Sequence, residues 1–230
     1  MKLRKVNLRG LDFDLSVDFT NGSGRIQDVT AIFGGNQSGK SVLARFISIC
    51  YGESALGESV IPLWFDKYDG EVDFEVNGIV TTTVFRQGKF LQKANLPELV
   101  PVNRQLPEKL FDALLFFNSY TRTSMLAMNE NRGMPTSIGL TYQLFSDFYN
   151  HQIRNSVILV DDFDLGLDRK NAGKLLEKLI SKGLEGDNQL VITTRNALLL
   201  DSLDSGITRM LPSGSESVVE EAVRRAVSAV

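Results

Sequence analysis

The chain has 230 residues, 43% hydrophobic and 23% charged, with 6 prolines, which fits one large α/β domain or two small lobes on a shared core and excludes disordered, collagenous and disulfide-scaffold classes. With 25 basic and 28 acidic residues the net charge is -3, so nucleic acid would have to be held by a local patch or through a partner. One cysteine, Cys50, excludes an internal disulfide, the start Met1-Lys2-Leu3-Arg4-Lys5 is no signal core, and no apolar run approaches the roughly 20 residues of a membrane span, so a soluble cytoplasmic protein without membrane insertion is expected.

Residues 2–8 and 13–19 read as two short strands, the second alternating Phe13, Leu15, Val17 and Phe19 with Asp14, Ser16 and Asp18. Val29 to Phe33 reads as a buried strand, followed by a glycine-rich loop and a helix carrying Val42, Leu43, Phe46 and Ile47. Residues 71–86 form the clearest hairpin, turning at Asn77-Gly78. Pro97, Pro101 and Pro107 predict an irregular segment over 88–112, and Leu114 to Phe117 another strand. Leu140, Leu144 and Phe148 predict a helix over roughly 138 to 153. The remainder alternates: strand 157–160, helix 169–182 capped by Gly183, strand 190–193, a short helix from Asn196, strand 207–211 and a final helix 216–229. The expected fold is therefore α/β, a mostly parallel sheet flanked by helices, with an antiparallel β flank and a small helical lobe.

Gly34-Gly35-Asn36-Gln37-Ser38-Gly39-Lys40-Ser41 matches G-x-x-x-x-G-K-[ST] between a predicted strand and a predicted helix. Such glycines let backbone N–H groups converge on phosphate, the helix N-terminus adds positive charge, Lys40 supplies an ammonium and Ser41 a hydroxyl for Mg²⁺. The strand Val157 to Val160 delivers Asp161 and Asp162 at its carboxyl end, where open α/β sheets place ligands. Asp161 suits Mg²⁺; Asp162 suits orienting or deprotonating the attacking water.

Asp161 to Asp168, reading Asp-Asp-Phe-Asp-Leu-Gly-Leu-Asp, resembles the Walker B and D-loop block of the ABC-type ATPases. The start, from the basic first strand to Gly34–Ser41, is most similar to the SMC and RecF-like branch. The resemblance implies one ABC-type ATPase domain over 1–230, with 1–87 and 154–230 as nucleotide-binding core and about 88–153 as helical signature lobe. It implies ATP and Mg²⁺ as cofactors, Asp168 as the D-loop aspartate, and Ser137 and Gly139 as signature residues acting across a dimer. Arg195 stands where the family carries its switch histidine. Gln87 is the candidate Q-loop glutamine, touching Mg²⁺ and water, with Gln92 the alternative.

Three departures shape the expected chemistry. Asp162 replaces a glutamate and is one methylene shorter, so slow turnover is expected. Arg195 is a permanent cation that would stabilise transferring charge, or else a surface arginine after a strand. The signature is reduced to Ser137 and Gly139. About 120 residues separate Lys40 from Asp161, too few for SMC arms, so the resemblance implies a stand-alone head. It would form an ATP-dependent homodimer and switch a separate effector protein that processes DNA or acts in defence, nucleic acid itself being reached only through a patch or that partner. The competing readings are a nucleotide-binding regulatory subunit with little hydrolysis, the ATPase subunit of a membrane transporter, and a P-loop kinase. His151 and Cys50 read as non-ligands, and Arg122 as a solvated loop residue or part of a phosphate patch.

Overall fold

The structure, a computed structural model, describes residues 1–10, 14–35, 38–52, 67–96, 109–117, 152–165, 167–200, 203 and 208–211. The antiparallel half comprises β1 (Lys2–Arg9), β2 (Asp14–Asp18), β4 (Asp69–Val76), β5 (Ile79–Arg86) and β6 (Lys89–Gln92), in the order β2-β1-β4-β5-β6. The parallel half comprises β3 (Val29–Phe33), β8 (Leu114–Phe117), β10 (Val157–Val160), β11 (Gln189–Thr194) and β12 (Thr208–Met210), in the order β12-β3-β11-β10-β8. A third, two-stranded parallel ribbon joins β7 (Lys109–Phe111) to β9 (Gln152–Arg154).

The helices are α1 (Lys40–Tyr51), α2 (Arg169–Glu185) and α3 (Ala197–Leu200). Helix α1 is buried along most of its length, from Leu43, Ala44, Phe46 and Ile47 to Ile49, Cys50 and Tyr51, because it lies between the two sheets. A helix apolar nearly all round needs a partner on both sides. Leu3, Val6, Leu8, Leu15, Val72 and Phe74 cover one side, and Ile32, Leu114, Leu159 and Val191 the other. The far face of the parallel sheet, with Ala31, Leu115, Ile158 and Val160, packs against Ala172, Leu175, Leu176 and Leu179 of α2. Strands β10 and β11 are therefore buried on both faces, which is why they read as unbroken apolar runs rather than as alternation.

Several sequence expectations require correction. The antiparallel part is a five-stranded sheet rather than a flanking hairpin, because β1 pairs with β4 across more than 60 positions of sequence. The predicted irregular segment contains β6 and β7, and the helix predicted to reach 153 cannot do so, since 152–154 form β9 against β7. Helix α2 continues through Gly183 and ends at Glu185, with Gly186 as its cap. The reason is Asn188, whose backbone N–H and side-chain Nδ2 both donate to the Gly183 carbonyl at 3.1 Å, satisfying a last-turn acceptor without a glycine break there. The Asn77-Gly78 turn has φ of 52° and 77°, as a type I′ hairpin requires. The final helix expected at 216–229, and most of that expected at 138–153, lie outside the described residues.

One side chain ties the two sheets together. Gln189, fully buried at the start of β11, accepts from Leu3 N through Oε1 at 2.5 Å and donates through Nε2 to Leu3 O at 2.9 Å. Its amide stands in for a strand beside β1, because the pairing with β2 begins only at Lys5. Replacement by Leu leaves two buried backbone groups unpaired, and Gln189→Leu is expected to lose about 2–4 kcal/mol in urea denaturation. Thr30, on β3, presents the converse case, a buried hydroxyl Oγ1 without a hydrogen-bond partner among the described residues. Thr30→Val is expected to gain about 1 kcal/mol in the same measurement.

Candidate nucleotide-binding site

The site lies at the carboxyl ends of β3, β11 and β10, which run parallel in register, Phe33 beside Thr194 and Ile192 beside Val160. The chain leaves β3 through Gly34 and Gly35 and enters α1 at Lys40. A Cβ on Gly34 would collide with the Ser38 side chain. Gly39 has φ of 86°, and a Cβ there would press on Leu15 of β2 at 2.9 Å. Glycine is thus required at both positions by the loop's own curvature.

Lys40 is 6% exposed, and its Nζ donates to Gly34 O and Gly35 O at 2.7 Å and to Ser38 Oγ at 3.3 Å. Burial pushes its pKa down, an effect partly offset by Asp162, Asp161 and Asp164 and reinforced by Arg195. The ammonium is aimed into the loop, where the two carbonyls and the Ser38 hydroxyl accept from it. No carboxylate caps the first turn of α1, so its N-terminus retains the partial positive charge that favours an anion.

Ser41 Oγ donates to Asp161 Oδ1 at 3.1 Å, which brings together two residues 120 positions apart. Thr193 Oγ1 donates to the same oxygen at 2.8 Å, and Asp161 N donates to Phe117 O at 3.0 Å. An oxygen pair of hydroxyl and carboxylate next to a phosphate-binding loop fits a hard divalent cation such as Mg²⁺. Thr193 Oγ1 also accepts from Asp162 N at 2.8 Å, and Asp162 adopts φ of 44°, a conformation aspartate tolerates better than most residues. Asp162 is half-buried, and burial raises its carboxyl pKa, aided by Asp161 and Asp164 and opposed by Lys40 and Arg195. Arg195, exposed on the turn after β11, therefore lies within electrostatic reach of both Lys40 and Asp162.

The structure brings Gly34, Gly35, Ser38, Gly39, Lys40, Ser41, Asp161, Asp162 and Arg195 to one sheet edge. Asp168 stands at the start of α2 as its N-cap, accepting from Asn171 N at 2.9 Å, and that hydrogen bond holds its pKa below the usual range. Gln87 occupies the β5–β6 turn with φ of 47°, and its backbone N–H donates to Asp69 Oδ1 at 3.0 Å in the antiparallel sheet. Gln87-Gly88 serves there as a second type I′ turn. Gln92 is exposed at the end of β6. Asn36, Gln37, Arg122, Ser137, Gly139 and His151 lie outside the described residues. Cys50 is buried and its thiol pKa is pushed up by burial, as expected of an inert apolar residue.

Sequence reasoning missed Thr193, Thr194 and Asp164. Thr194 Oγ1 donates to Asp164 Oδ1 at 2.7 Å, so each threonine ending β11 holds one acid of the Asp161–Asp164 turn. The available signal was two adjacent threonines closing an otherwise apolar buried strand.

A strand–glycine loop–helix unit facing an aspartate at the end of a parallel strand has the local geometry of a P-loop. Solved structures similar to this chain are ABC ATPases and SMC heads. The SMC head domain from Thermotoga maritima shares 17% identity at a TM-score of 0.46, covering 89% of this chain and 93% of that one. An SMC head bound to the C-terminal winged-helix domain of ScpA shares 11% at 0.49, covering 87% and 91%. The protein cbiO1 from Clostridium perfringens, part of the ABC transporter complex cbiONQ, shares 13% at 0.43, covering 99% and 96%. No family model and no curated protein matches the sequence. No helix among the described residues is long and apolar enough to cross a membrane.

Because burial raises the folded pKa of Asp162, its ionised form is penalised in the folded state above the unfolded value. The penalty is absent at low pH, grows as pH rises through the unfolded pKa of about 4, and is full above the folded pKa. Asp162→Asn is expected to raise Tm by about 2 °C at pH 7 and to lose that advantage by about pH 3, as scanning calorimetry at the two pH values would show.

Proposed function

We propose that the chain is a stand-alone ABC-type ATPase head, nearest the SMC and RecF-like branch, that closes as a dimer around ATP and reopens on slow hydrolysis. The observation that carries the reading is the Ser41–Asp161 contact at 3.1 Å, with Lys40 and Asp162 beside it, formed by elements distant in sequence at the end of a parallel sheet. ATP and Mg²⁺ supply the phosphoanhydride and the charge that polarises it.

The chain's own residues do the rest. Lys40 exchanges the Gly34 and Gly35 carbonyls for phosphate oxygens, and the loop's backbone N–H groups bind alongside. Ser41 and Asp161 would hold the metal, with Thr193 fixing the carboxylate. Asp162 orients water and accepts its proton, and its raised pKa moves the acid limb of the rate upward from the ordinary carboxylate range. Arg195 offsets charge on the transferring phosphoryl group. Gln87 is the water-orienting amide of this reading, with Gln92 the alternative. Ser137, Gly139 and Asp168 act across the dimer, and the effector is a separate protein that processes DNA or acts in defence. A regulatory subunit with little turnover is the second reading, favoured by the short, half-buried Asp162 carboxyl.

Lys40→Ala is expected to abolish binding of a fluorescent ATP analogue. Asp162→Asn is expected to lower steady phosphate release at least about 100-fold while sedimenting as a dimer with ATP and Mg²⁺. A monomeric Asp162→Asn at saturating ATP removes the dimer from the reading. Background phosphate release by the native chain, despite tight ATP binding, selects the regulatory subunit.

A further inference from the structure

We infer that Thr194 is the positioning residue for Arg195, acting through Asp164; the inference rests on the ATPase reading and deepens it. Thr194 is fully buried at the end of β11, and its hydroxyl is used twice. It donates to Asp164 Oδ1 at 2.7 Å and accepts from Asn196 N at 3.0 Å. The residues on both sides of Arg195 are thus fixed to one oxygen atom. The Thr194 carbonyl accepts from Gly34 N at 3.4 Å, which ties the same turn to the first glycine of the phosphate loop.

The bond to Asn196 is a local hydroxyl–backbone turn of a common kind and explains nothing beyond the turn itself. The bond to Asp164 is different. It spans 30 positions, places a carboxylate acceptor on a buried hydroxyl, and is about twice as strong as a neutral pair. A surface arginine has no need of such an anchor. Arg195 acts electrostatically on both Lys40 and Asp162, so a shift of its turn changes the field where phosphate charge develops. Asp164 lies in the segment leading to Asp168 and α2, so displacement of that segment reaches Thr194, the residue before Arg195, through this side-chain hydrogen bond.

The test uses the full chain with Thr194→Val, Thr194→Ser, Asp164→Ala and Arg195→Ala. Thr194→Val is expected to bind a fluorescent ATP analogue within about twofold of the native chain and to keep its KM, while kcat falls about tenfold. Thr194→Ser restores kcat to within about twofold, and Thr194→Val/Arg195→Ala is no slower than Arg195→Ala alone. A native kcat in Thr194→Val, a loss that serine does not rescue, or additivity with Arg195→Ala overturns the inference. Asp164→Ala reproduces the Thr194→Val loss and substitutes for it should the valine variant not fold. A crystal structure of Thr194→Val or Asp164→Ala decides the matter independently of turnover: the Arg195 turn is expected to move away from Gly34, and an unmoved turn overturns the proposal. Failure of the underlying reading has a distinct signature, absence of ATP binding by the native chain.

Discussion

Helix α1 has an apolar surface on nearly every side, and it can be buried only between two sheets. The antiparallel sheet covers it from one side through Leu8, Leu15 and Phe74, and the parallel sheet from the other through Ile32, Leu159 and Val191. Its axis is fixed by this packing, so the position of its N-terminus is fixed as well. Lys40 and Ser41 are the first two residues of that helix, and Leu15 of the antiparallel sheet stands where a side chain at Gly39 would have to go. The antiparallel sheet therefore contributes to the site indirectly, as the wall that stops α1 from sliding along its axis. Gln189 reinforces the arrangement at the opposite end of β11, where its amide joins the backbone of β1.

Two adjacent aspartates of identical chemistry are set to different tasks by what surrounds them. Asp161 is 3% exposed but receives hydroxyl donors from Ser41 and Thr193, both on one oxygen. Asp162 turns out of the strand at positive φ, and Thr193 holds its backbone rather than its carboxylate. Its carboxyl is half-buried beside a like charge, so protonation is favoured. One carboxylate is thus pinned by two hydroxyl donors, and the other is turned out of the strand as a group that takes up a proton more readily. Thr193 reaches both because β11 lies between β3 and β10 in the sheet.

The sequence made legible those features that depend on neighbours along the chain. Alternation in β2 and β4, the apolar runs of β10 and β11 and the glycine loop before α1 all follow from local pattern and stand in the structure. What escaped reading depends on pairing between distant segments. Nothing local announces that β1 lies between β2 and β4, or that residues 109–111 and 152–154 pair in parallel. Gly183 looked like a helix end because glycine usually is one, yet Asn188 satisfies its carbonyl from beyond the helix. Gln87 was read for its amide alone, and the tight turn its backbone forms with Gly88 comes to light only in the structure. Thr193 and Thr194 became functional candidates only once the strand order placed β11 between the loop and the acids.

The departures from the ABC pattern at positions 162 and 195 bear on each other. A half-buried carboxyl is costly to ionise, and more so when other negative charges crowd it. Asp161 and Asp164 are such charges, and Lys40 and Arg195 oppose them at Asp162. A histidine at 195 would supply its charge only in its protonated form, since its ordinary pKa lies near 6.5. The guanidinium supplies it at every working pH, lowering the cost of ionising Asp162. The same cation disfavours a second ammonium nearby and adds to the burial that depresses Lys40. A bound polyphosphate reverses that penalty, because several negative oxygens then stand near both cations. An arginine at 195, unlike a histidine, thereby acts on both Asp162 and Lys40 without itself titrating in the working range.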